Sequence, residues 1–115
     1  MTPTARIFSE LFDIVARAYE LDIDALSTEE KWPAPPVREA RQVVCLVAHE
    51  VLKLTQARIG RFMQRDHRSV SQAVGAIRKK LPGDPVLRLV VEQVSQRLRE
   101  YVRHFDVFEP SEAAE

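Results

Sequence analysis

Apolar residues in this chain recur at intervals of three and four, in several separate stretches, and seldom alternate. That spacing lines one side of a helix, whereas a strand would need a period of two. The chain holds only three glycines, few for a protein built on hairpins. The expected fold class is all-α: five helices in a single domain that contains a helix-turn-helix.

The segments follow from the pattern. A first helix is expected over about 4–20, with Ile7, Leu11, Ile14, Val15 and Ala18 inward. The stretch LDIDALSTEEKWPAPPVRE then loses the period and gains Pro33, Pro35 and Pro36, which predicts a loop with Trp32 covering an edge of the core. A central helix over about 37–54 presents Val43, Val44, Leu46, Val47, Val51 and Leu52. Thr55 is placed to cap a short helix over 56–63 with Ile59, Phe62 and Met63 inward, and Asp66 to cap another over 66–81 with Val70, Ala73, Val74 and Ile77 inward. LPGDP breaks the chain before a last helix over about 85–105, with Leu87, Val90, Val91, Val94, Leu98, Tyr101, Val102 and Phe105 on its apolar side. The expected domain spans 1–105, and 106–115 reads as an acidic tail.

Several function classes find no support. With 115 residues there is material for one core, and the lone Cys45, inside VVCLVAHEVL, reads as a buried thiol. His49, His67 and His104 lie far apart without the companions of a metal site, and no nucleophile, acid and base converge, so neither an enzyme nor a cofactor is expected. The first residues, MTPTARIFSELF, have no continuous apolar run for a signal peptide or a membrane span, which predicts a cytoplasmic protein.

Charge is unevenly spread. Lys53, Arg58, Arg61, Arg65, Arg68, Arg78, Lys79 and Lys80 face a single acid, Asp66, so the segment from 53 to 80 carries +7 while the rest carries −7. One region is thus suited to an anion. It coincides with two short helices joined by a tight turn at Gln64, with Gly60 where the helices must approach closely. Ile59, Met63, Val70, Ala73 and Val74 would lock them together, leaving His67, Arg68, Ser71, Gln72 and Gly75 outside. Arginine pairs with guanine, glutamine with adenine, and aspartate accepts from the cytosine amino group. Asp66, His67, Arg68, Ser69, Ser71 and Gln72 are therefore the expected base readers. Thr55, Arg58, Arg61, Arg65, Arg78 and Lys79 are the expected phosphate binders, and the partner is double-stranded DNA.

Around Ile59-Gly60 and Arg65-Asp66-His67, followed by Arg68-Ser69-Val70, the chain resembles the C-terminal DNA-binding domain of the bacterial replication initiator DnaA. The Ala40-Arg41-Gln42 stretch likewise resembles that family's start of its long central helix. The resemblance implies base contacts by Asp66 and His67, the latter against a thymine methyl, a hydroxyl contact from Ser69, and phosphates held by Arg41, Gln42 and Arg65. It also implies recognition of DnaA-box-like sites and a role in replication initiation or transcription. Three departures stand out: Arg68 replaces a threonine, the turn is one residue shorter without a glycine pair, and STEEKWPAPP replaces an arginine-rich loop. A phosphate loop of the Gly-x-x-x-x-Gly-Lys-Ser/Thr kind is missing, so the expectation is a reader without the ATPase module.

The competing reading is a protein-binding adaptor whose first and fifth helices dock the initiator or another regulator, the basic hairpin being secondary. Monomer and weak homodimer are both open, since an overly wide stripe on the fifth helix would expose Leu87 or Val91.

Overall fold

A computed structural model describes residues 2–27 and 34–104. The expectations for Trp32, Phe105 and the tail fall outside the described residues. The elements, in order, are α1 (Pro3–Ala18), α2 (Ile23–Ser27), α3 (Pro35–Glu50), α4 (Gln56–Met63), α5 (His67–Lys80), a 3-10 turn (Leu81–Gly83) and α6 (Pro85–Val102).

Most helices start where capping chemistry permits. Thr2 Oγ1 accepts from the Ala5 N–H at 3.1 Å, Thr55 Oγ1 from the Arg58 N–H at 3.1 Å, Asp66 Oδ1 from the Ser69 N–H at 2.8 Å and Asp84 Oδ1 from the Leu87 N–H at 3.0 Å. Each satisfies one of the donors that a helix start leaves open. Prolines in the first turn of α1, α3 and α6 cost nothing there, since those N–H groups have no intrahelical acceptor.

There are six α-helices rather than five among the described residues. The addition, α2, lies in the stretch expected to be loop, because five residues are too few to display a helical period. It is held from outside: Leu26 is buried, and Arg41 of α3 donates from Nε to the Leu26 carbonyl at 3.2 Å and from Nη2 to the Ala25 carbonyl at 3.5 Å. The central helix also ends earlier than its apolar stretch suggests, at Glu50 instead of about 54. Lys53 adopts a left-handed conformation (φ 59°), which folds the chain back while keeping Leu52 and Leu54 buried. His49 Nδ1 lies 2.9 Å from the Leu54 carbonyl oxygen. A carbonyl only accepts, so Nδ1 carries the proton and pins the turn just before α4.

α3 is the hub. Ala40 and Val43 through Ala48 are all buried, and the helix packs against α1, α2, α4, α5 and α6. Cys45 belongs to this core; burial pushes its thiol up to about 12, and its Sγ lies 3.3 Å from Met63 Sδ. Ile7, Leu11 and Val15 of α1 share the core with Leu87, Val94 and Leu98 of α6, while Phe8 stacks on Phe62 of α4 with ring centroids 4.7 Å apart. On α6, Leu87 is buried and Val91 half-buried; the exposed apolar residues are instead Val86 and Leu89. The core takes the 87/94/98 side of that helix, the apolar side expected from its spacing. No described helix is long and apolar enough to cross a membrane.

Candidate nucleic-acid interface

The site is built from α4, a three-residue turn and α5. At the end of α4 the chain reverses through Gln64, which sits in the left-handed region (φ 55°, ψ 44°). Glycine is the usual residue there because a Cβ is strained, so the sequence gives little warning of the cap. Two hydrogen bonds close it, from the Gln64 N–H to the Arg61 carbonyl at 3.4 Å and from the Arg65 N–H to the Gly60 carbonyl at 2.8 Å. The second brings the turn directly over Gly60. A Cβ built on Gly60 would lie 2.4 Å from the Arg65 carbonyl oxygen, closer than real Cβ contacts come. Gly60 is thus required by close approach rather than by an unusual backbone angle, as its sequence position suggested.

α5 docks by Val70, Val74 and Ile77, all buried, against α3 and α4. Its opposite side is open: His67, Arg68, Ser69, Ser71, Gln72, Gly75, Arg78 and Lys79 are exposed. The six residues expected to read bases occupy consecutive or alternate positions from Asp66 to Gln72, at and just after the capped N-terminus. Arg68, Gln72, Gly75 and Lys79 stand farthest from the docked side, because steps of four, three and four return to nearly the same helical azimuth.

Asp66 caps α5 with a charged group. Hydrogen bonds from the Ser69 N–H and hydroxyl, and then the charges of His67 and Arg68, hold its carboxyl below the ordinary aspartate value of 3.8. A lowered folded-state value means that the carboxylate stabilises the fold above the ordinary value and loses that effect as pH falls through the lowered one. The difference in melting temperature between the parent and Asp66→Asn is therefore expected to be constant above about pH 5 and to shrink below about pH 4. Thermal scans across pH 2.5–7 would check it; a difference that grows on acidification would contradict the cap's electrostatic part.

The expected phosphate binders are less uniform. Arg61 and Lys79 are exposed, and Arg58 lies half-buried with its guanidinium carbon 6.0 Å from the centre of the Phe62 ring. Arg65 donates from Nη1 to the Gln64 carbonyl at 3.1 Å, which keeps its head beside the turn. Thr55 uses its oxygen as the α4 cap, and Gln42 is half-buried on α3. Arg41 is turned inward onto α2, as described above, and Arg78 pairs with Glu50 of α3 at 3.0 Å. Lys80 similarly pairs with Glu39 at 2.7 Å. These α3 carboxylates lie outside the basic segment, so a count of charge along the chain does not show that they pair with it.

Sequence reasoning also missed the group behind Glu39. Its second oxygen accepts from the Tyr19 hydroxyl at 2.6 Å, and burial together with the Glu39 hydrogen bond and charge pushes the phenol's pKa up, so it remains a donor. Tyr19, Glu39 and Lys80 thereby tie α1, α3 and the end of α5. Tyrosine at a helix end, with its partner twenty residues away, offers no local signal. Gly75 is different again: a helix-interior glycine is about 1 kcal/mol worse than alanine, yet among the described residues no atom outside its own helix backbone comes within 4 Å of the position its Cβ would take.

A buried hinge glycine, a left-handed turn and a capped second helix with an open polar face define a helix-turn-helix DNA-binding domain. The chain belongs to the family of the bacterial DnaA protein helix-turn-helix, whose model matches residues 8–77 and thus reaches from α1 through most of α5. A search of curated proteins returned no match.

Proposed function

We propose that the protein reads a specific duplex sequence, of the DnaA-box type, through the first two turns of α5, and in that way regulates replication initiation or transcription at the nucleoid. The observation that carries this reading is the crowding of base-capable side chains onto one exposed, capped helix end within the +7 segment. Arg68 meets guanine and Gln72 adenine, the Asp66 carboxylate accepts from a cytosine amino group, and His67 lies against a thymine methyl. Ser69 and Ser71 add hydroxyl contacts, and the open N–H groups of the α5 start favour a phosphate. Arg61, Arg65 and Lys79, with Arg58, Thr55 and Gln42 behind them, track the backbone. Arg41 and Arg78 join only by leaving the Leu26 carbonyl and Glu50. The Arg78–Glu50 pairing is solvent-exposed and weak enough for a phosphate to displace.

The test is fluorescence anisotropy with a DnaA-box-like duplex, a scrambled duplex and a random pool, each at several salt concentrations. The parent is expected to prefer one duplex, with the preference surviving higher salt. Arg68→Ala should cost about 1–3 kcal/mol on the preferred duplex and little on the scrambled one, whereas Arg61→Ala should weaken all duplexes alike and flatten the salt slope by about one. Equal loss on matched and scrambled DNA from Arg68→Ala would remove its base-reading role.

A further inference from the structure

Gly75 stands in the middle of α5, on the exposed side, between Gln72 and Lys79 along the outermost stripe. Nothing among the described residues explains it. No glycine has a positive φ, so the backbone does not need one, and among the described residues nothing outside its own helix backbone comes within 4 Å of the missing Cβ. Gly60, by contrast, is accounted for by the Arg65 carbonyl. A helix-weakening residue without an internal reason leaves a notch, with an amide-bearing side chain on one side and a cation on the other.

From this we propose that the notch at Gly75 is where a DNA strand crosses α5, making Gly75 a positioning residue that sets how deeply the reading turns enter the groove. The inference rests on the DNA-reading function proposed above. The rise from His67 to Gly75 is about 12 Å, close to the width of the major groove of B-DNA. When α5 lies across the groove with its capped end inside, the first two turns face bases and the third turn meets the groove wall. A sugar-phosphate chain fits against bare backbone at that point, and Lys79, one turn further on, reaches a phosphate on the far side of the crossing. A side chain at 75 would hold the helix away from the strand and lengthen every hydrogen bond made by Arg68 and Gln72, and those bonds weaken steeply with distance and misalignment.

The experiment compares the full chain with Gly75→Ala, Gly75→Leu and, as a surface control on α6, Gln96→Leu. Thermal unfolding is read beside anisotropy on the preferred duplex. Gly75→Ala is expected to raise Tm by about 3–6 °C, because alanine is the better helix former. It should nonetheless weaken binding about 5-fold, and Gly75→Leu about 30-fold or more, through overlap with the strand. Gln96→Leu should leave binding unchanged. Lys79→Ala should reduce the salt slope by about one and abolish ethylation interference at the phosphates beside the crossing. If the parent prefers its duplex and both Gly75 variants, folded, bind it equally well, the notch has no role and the proposal falls while the DNA-reading function stands. If the parent binds no duplex at all, that function itself falls and the crossing with it.

Discussion

Replacing Gly60 by valine is expected to destabilise the fold by roughly 3 kcal/mol, a large part of the 5–15 kcal/mol typical of a domain this size. The clash is with backbone: even a single Cβ would sit 2.4 Å from the Arg65 carbonyl oxygen. No rotamer change relieves that, and the turn cannot swing away because the Arg65 N–H is bonded to the Gly60 carbonyl at 2.8 Å. Gly60→Ala should be milder, since about 1 kcal/mol of helix propensity returns. Urea titration would show the valine variant with a lower midpoint at unchanged slope. Opening the turn also moves the Asp66 cap, so DNA affinity should fall further than the remaining folded fraction accounts for. Valine unfolding at the parent's midpoint would mean that α4 and α5 separate at no cost, contrary to the geometry.

The second large effect is expected at Ile77. Its side chain is fully buried on the side by which α5 docks, next to the α3 hub. Truncation to alanine removes three carbons from a closely packed seam and should cost about 3–4 kcal/mol, combining lost transfer energy with the cavity left behind. Ile77→Leu keeps the volume and should cost less than about 1.5 kcal/mol. Chemical denaturation of both variants separates a packing role from mere hydrophobicity: losses that are small for both would argue that the seam tolerates change and that α5 is held chiefly by its caps and the turn. Because Ile77 lies three turns from Asp66, loosening it should also reduce affinity for every duplex without altering which one is preferred.

Helix class and order were legible in the spacing of the apolar residues. Ile7, Leu11, Ile14 and Val15 on α1, Val43 through Val47 on α3, and Val70, Val74 and Ile77 on α5 all lie inside, where their period put them. The caps were legible for the same local reason: Thr55 and Asp66 hydrogen-bond within three residues of themselves. Short-range physics fails where an element is stabilised from a distance. α2 exists because Leu26 is buried and Arg41 of α3 holds its last carbonyls, so the arginine expected to meet phosphate serves first as a brace. α3 stops at Glu50 although apolar residues continue, because Lys53 accepts a left-handed backbone while Leu52 and Leu54 reach the core.

The interface divides along the same line. Residues from Asp66 to Gln72 belong to one helix start, and an amphipathic pattern with a cap is enough to send Val70 inward and Arg68 and Gln72 outward. By itself, the sequence determined which helices form, which face of each is apolar, and where positive charge collects, since all three depend on neighbours within about two turns. Only the tertiary structure decided which basic groups meet partners within the protein: it turned Arg41 onto α2 and paired Arg78 with Glu50 and Lys80 with Glu39. Helix crossing brings together carboxylates and guanidinium groups that lie tens of residues apart, and no periodicity along the chain encodes that meeting.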